Sequence, residues 1–178
     1  MEENKIVKYD SGQLQKVGNQ IAITKKLVSN TNEKLAIDYF NKGRDCQQLK
    51  DYEGALLYFT KAIELKSDYG EALLHRASSF CMVEDYHSAI TDITEYIRLK
   101  PNSEKGYFER GLFKRHLKDY QGSLNDYNKA IELNPKDSLS YVFRAFLKEE
   151  IGDKEGSDLD WKQALQLDED VKKKTQNV

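Results

Sequence analysis

The sequence is short of most features that mark a specialised class. Its 178 residues include two cysteines, too few for a disulfide framework. No stretch approaches the roughly 18 apolar residues of a membrane-spanning helix. The opening Met1-Glu2-Glu3-Asn4-Lys5 lacks the basic start and apolar run of a signal peptide. Lys and Arg number 28 against 30 Asp and Glu, a net charge of -2, so the basic surface of a general nucleic-acid binder is missing. Two prolines and ten glycines leave few helix breakers. These absences point to a soluble, cytoplasmic, helix-rich chain with neither a membrane nor a nucleic-acid partner.

What is present is repetition. An apolar share of 39% is thin for one compact core, and 11 residues are tyrosine. A row of small units needs less core, because each unit buries a modest face against its neighbour. Lys50-Asp51-Tyr52-Glu53-Gly54-Ala55 is echoed by Glu84-Asp85-Tyr86-His87-Ser88-Ala89. Lys118-Asp119-Tyr120-Gln121-Gly122-Ser123 and Gly152-Asp153-Lys154-Glu155-Gly156-Ser157 continue the series. Asp51, Asp85, Asp119 and Asp153 stand 34 residues apart at each step. Lys61–Leu65, Glu95–Leu99, Lys129–Leu133 and Gln163–Leu167 keep the same register.

Each unit reads as two helices. The first run over 33–49, 69–83, 103–117 and 138–151, the second over 52–66, 86–99, 120–133 and 154–167. Good helix formers fill them, without β-branched runs. The four aspartates sit where a second helix begins and suit the orphan N–H groups and the dipole there. Pro101 and Pro135 stand where a helix must stop. Asn102-Ser103 and Asp137-Ser138 then offer N-caps.

A helix–turn–helix period of 34 resembles the tetratricopeptide repeat. The tryptophan place of that pattern is held by Tyr39, Leu73, Tyr107 and Tyr141, and the small place by Gly43, Ala77, Gly111 and Ala145. The A-x3-F pairs read Ala55/Phe59, Ala89/Ile93, Ser123/Tyr127 and Ser157/Trp161. The proline place holds Ser67, Pro101, Pro135 and Glu169. Four units result: 36–69, 70–103, 104–137 and 138–171. An N-terminal extension of 1–35 carries one amphipathic helix, and 172–178 form a tail. The resemblance implies an all-α fold, a right-handed superhelical solenoid. Gly43 opposite Ala55 and Gly111 opposite Ser123 would let helices approach, with aromatics filling the wedge. The fourth unit reads as a terminal cap that tolerates water on its outer face.

Arg76, Arg110 and Arg144 share one column, and Asp92, Asp126 and Asp160 another, each Asp 16 residues after its Arg. Unit one has Lys42 and Tyr58 there. Bidentate Arg–Asp pairs between the two helices are expected, setting geometry more than adding stability.

Outside the array, 6–9 could be a short extended piece and 10–12 a turn. Residues 13–28 read as a helix with Leu14, Val17, Ile21 and Val28 on one stripe. That stripe is expected to cap the first repeat or lie along the groove, and otherwise to be a partner-binding arm. Residues 171–178 read as a fraying tail.

No catalytic constellation stands out. His75, His87 and His116 fall on different units without metal-ligand spacing. Cys46 and Cys81 form no C-x-x-C pair and read as free thiols. No phosphate loop or nucleophile elbow is present. No enzyme, cofactor or metal is therefore expected.

The resemblance implies that first helices line a concave face. One inward column is Phe40, Leu74, Phe108 and Val142. The next is Arg44, Ser78, Leu112 and Phe146. With Lys105 and Arg115 these make an apolar groove with a basic patch, expected to hold a protein or peptide segment. The alternative is self-assembly, as a homodimer or with the N-terminal segment in its own groove. The family's best-known mode grips a C-terminal carboxylate with Lys and Asn in unit one, Asn in unit two, and Lys and Arg in unit three. Here those places hold Phe40 and Arg44, then His75, then Lys105 and Glu109. That function is not carried over.

Overall fold

The computed structural model describes residues 11–174, so the expected extended piece at 6–9 and the end of the tail lie outside it. The described residues form nine helices, α1 (Ser11–Gln48), α2 (Tyr52–Leu65), α3 (Gly70–Met82), α4 (Tyr86–Leu99), α5 (Glu104–His116), α6 (Tyr120–Leu133), α7 (Ser138–Glu150), α8 (Lys154–Leu167) and α9 (Val171–Lys174). Each packs chiefly on the one before and the one after, so the molecule is a helical solenoid.

Local chemistry repeats with the period. Asp51, Asp85, Asp119 and Asp153 cap the second helices, accepting from the N–H three residues on at 2.9–3.1 Å. Before each cap the chain turns through a left-handed residue, Lys50, Glu84, Lys118 or Gly152. The N–H of the capping aspartate then reaches back to the carbonyl five residues earlier, as in Asp51 to Cys46 at 2.9 Å and Asp153 to Lys148 at 2.8 Å. Asp137 caps α7 through Ser140, as expected. Ser103 does not cap α5 with its side chain; its hydroxyl lies 3.1 Å from that of Tyr96 instead.

Close approach works through the small positions. A Cβ on Gly43 would stand 2.6 Å from the Phe59 ring, and one on Gly111 would stand 2.9 Å from Tyr127. The space beside Gly43 is therefore filled by the aromatic of the A-x3-F pair rather than by Ala55. Phe59, Ile93 and Tyr127 are buried and centre three successive clusters.

The Arg–Asp pairs are all present. Arg76 grips Asp92 through Nε and Nη2, both at 2.7 Å. Arg110 grips Asp126 at 2.9 and 2.8 Å, and Arg144 holds Asp160 in the same two-pronged way. The remaining Nη1 reaches the preceding unit, at Thr60, Thr94 or Asn128, so each arginine ties three helices. Unit one substitutes a different lock: the ammonium groups of Lys42 and Lys61 lie 5.5–5.9 Å from the Tyr39 and Tyr58 ring centres.

Two expectations are corrected. The helices expected at 13–28 and 33–49 are one helix, and Ser11 and Gly12 belong to it rather than to a turn. Residues 29–32 contain neither Gly nor Pro, and Thr31 returns its hydroxyl to the Leu27 carbonyl at 2.9 Å. A polar stretch satisfied within the helix does not end it. Val171 is not in a frayed tail: it is fully buried, starts α9 and closes the last cluster.

Candidate functional site

First helices lie side by side. Phe40 of α1 meets His75 of α3 with ring centres 5.3 Å apart, and Phe108 of α5 meets Phe143 of α7 at 5.1 Å. Polar ties join the same pairs. Gln47 donates to the His75 carbonyl at 3.0 Å and to the Ser79 hydroxyl at 2.9 Å. Its amide oxygen lies 2.8 Å from His75 Nδ1. An amide oxygen only accepts, so Nδ1 carries the proton.

The structure divides the ten expected groove residues. Leu74, Phe108, Leu112 and Phe146 are half-buried, while Arg44, Ser78 and Lys105 are exposed. Phe40, at 7% exposure, and Val142, at 0%, are core residues rather than groove surface. Phe40 is taken up by Phe59, Tyr69 and His75. Val142 sits with Tyr127 and Leu147 in the last cluster. Arg115 is engaged rather than free, its Nε donating to Glu150 at 2.8 Å while the Tyr120 hydroxyl donates to the other carboxylate oxygen at 2.9 Å. That network was missed because Arg115 and Glu150 are 35 residues apart, one period plus one, so no single column holds both.

Electrostatics gather Arg44, His75, Lys105, Glu109 and Cys81 into one neighbourhood. Burial lowers the His75 pKa, and the charges of Arg44 and Lys105 lower it further. Burial raises the Glu109 carboxyl above its ordinary range, with Lys105 opposing. Burial also raises the Cys81 thiol, with Glu109 adding. Burial and the two cations thus disfavour protonation of the imidazole, with Glu71 opposing, and the half-buried Glu109 carboxyl feels the charge of Lys105. Nearby, the Tyr127 hydroxyl is buried without a hydrogen-bond partner among the described residues, and burial raises its pKa strongly.

Glu109 carries a pH prediction. Its folded pKa is raised, so the folded state holds the proton more tightly than the unfolded chain. That contribution is fully present below the ordinary value of 4.5 and is lost as pH rises through the raised one. Glu109→Gln is expected to raise the melting temperature at pH 7 and to have little effect at pH 4. A pair of thermal melts checks it; an equal shift at both pH values contradicts it.

The family model described as tetratricopeptide repeat matches residues 36–69 and 104–137, the first and third units. Among solved structures the chain is similar to MamA, residue 41 to the end, from Desulfovibrio magneticus RS-1. Identity is 15%, 97% of this chain and 100% of that one are covered, and the TM-score is 0.71. It is similar also to the Arabidopsis OM64 TPR domain, at 23% identity over 67% of this chain and 98% of that one, with a TM-score of 0.64. The first TPR of Spaghetti (RPAP3), bound to the HSP90 peptide SRMEEVD, matches at 19% identity over 67% and 94%, with a TM-score of 0.64. No curated protein sequence matches the chain.

Proposed function

We propose that this tetratricopeptide repeat protein is a non-catalytic scaffold whose concave face holds an apolar segment carrying acidic groups. The observation that supports it most is the composition of the first-helix face. Leu74, Phe108, Leu112 and Phe146 keep part of their surface in solvent, although each also packs against the core. Exposed Arg44 and Lys105 flank them. Apolar contacts supply affinity there, and the two cations orient carboxylates. Ser78 and the less available Arg115 are secondary, and Phe40 and Val142 support the wall from behind.

The neighbour solved with the peptide SRMEEVD adds that this fold takes peptides. Glu109 distinguishes the present groove: a half-buried carboxyl next to Lys105 disfavours a second carboxylate beside it. The ligand chemistry is therefore apolar residues with spaced acidic side chains rather than a terminal carboxylate gripped deep in the groove.

Selection from a displayed random-peptide library tests the reading. Binders are expected to alternate apolar and acidic residues. They should lose affinity at least about tenfold, which is about 1.4 kcal/mol, on Arg44→Glu/Lys105→Glu. Both positions are exposed, so the thermal melt should hold. Acidic binders indifferent to the double variant would overturn the reading.

A further inference from the structure

Among the described residues, the apolar stripe at the N-terminal end of α1 stays largely exposed. An ion pair between Lys66 and Glu33 at 3.1 Å marks where the end of α2 lies beside α1. Residues 11–32 continue past that point, about 33 Å of helix at 1.5 Å per residue. Leu14, Val17, Ile21 and Val28 are 58%, 49%, 49% and 52% exposed. At the base, Ile21, Thr24 and Val28 form one wall of an open wedge of about 910 Å³, and residues 65–68 form the floor.

The stripe has a seven-residue period. Leu14, Ile21, Val28 and Leu35 hold one heptad position, and Val17, Thr24 and Thr31 hold the other. Thr24 and Thr31 donate their hydroxyls to the Gln20 and Leu27 carbonyls at 3.0 and 2.9 Å. Their polar groups are satisfied within the helix, and their methyls are free to face an apolar layer.

We propose that the occupant of this stripe is the same stripe of a second copy, laid antiparallel to form a two-helix coiled coil. Alternating heptad positions then meet in closed layers: Leu14 on Thr31, Val17 on Val28 and Ile21 on Thr24, followed by the same three pairs reversed. The paired span, 14–31, is the part of α1 beyond its ion pair with the end of α2, and the second arm lies over the wedge that Ile21, Thr24 and Val28 share with residues 65–68. The tip of each arm points to the wedge above residues 65–68 of the other copy. The cations also fit. Residues 11–32 carry Lys16, Lys25 and Lys26 and no acidic residue. In this register Lys25 flanks Gly18 of the second copy, and Lys16 and Lys26 fall on outer positions. The two arms still repel at long range, so the dimer tightens as salt screens them. An acidic helix or an anionic membrane on the same stripe would show the opposite salt response. The arm also has weak intrinsic helix propensity, with Gly18 and several β-branched residues, so pairing should deepen its helical signal.

Sedimentation of the full chain at tens of micromolar, from low to half-molar salt, tests this. The expected result is a dimer whose association strengthens with salt. Ile21→Asp/Val28→Asp should be monomeric with an unchanged repeat melt. In a Cys46→Ser/Cys81→Ser background, Leu14→Cys/Thr31→Cys should cross-link copies on oxidation, while Leu14→Cys alone should not, because a parallel pair would place those residues together. A wild-type monomer at every salt concentration overturns the proposal, as does a dimer that survives the double Asp variant. A monomer whose arm binds anionic vesicles or an acidic helical peptide overturns it in favour of that occupant. Arg44→Glu/Lys105→Glu should stay dimeric, which separates this test from that of the groove.

Discussion

Arg76→Met is expected to destabilise the protein by roughly 3–5 kcal/mol, the cost of stranding a buried charge. Asp92 is 4% exposed, and its carboxylate is held by Arg76 alone among the described residues. The same change at Arg110 or Arg144 should cost less. Asp126 keeps Lys114 at 2.7 Å, and Asp160 keeps Lys148 at 2.9 Å. Unit two has Phe80 where those lysines stand, its ring 5.9 Å from the Arg76 guanidinium carbon. Urea unfolding of the three variants gives the ranking. Arg76→Met/Asp92→Leu should recover much of the loss, since a well-packed apolar pair can replace a buried ion pair. Equal losses at all three sites would mean that the second cation contributes nothing. Intact repeats with no loss would mean that the pairs are solvated.

Phe59→Ala should cost about 3–5 kcal/mol, the range for truncating a buried aromatic. Phe59 is fully buried and occupies the room that Gly43 leaves open. It also backs Phe40 and His75, with ring centres 5.8 and 5.6 Å away. Loss should therefore be local at first, loosening α1 from α2 and α3 before the later units melt, as nearest-neighbour stacking predicts. Hydrogen exchange followed unit by unit checks this. Uniform loss of protection along all four units would contradict it.

The period made most of this architecture readable. α4, α6 and α8 start and stop where the 34-residue step places them, because an aspartate cap and a final leucine bracket each one. The Arg–Asp pairs were readable for the same reason: two columns that change together in unit one must meet. Three features escaped. The continuity of α1 was hidden because Ser29-Asn30-Thr31-Asn32 resembles a break, and only the back-bonded threonine shows otherwise. The burial of Phe40 and Val142 was hidden because a helix face does not switch abruptly from groove to core. One position separates them from half-buried neighbours, and packing of the adjacent unit decides. The role of Val171 depended on the last cluster needing a lid. A terminal residue next to three lysines gives no periodic signal for that.

The concave face is the central claim. Amide exchange on the chain with and without a selected apolar–acidic peptide tests it most directly. The account predicts new protection across α3, α5 and α7, centred on residues 74–78, 105–112 and 146, with the second helices unchanged. Protection confined to α2, α4, α6 and α8, with the first helices unaltered by a bound peptide, would contradict it.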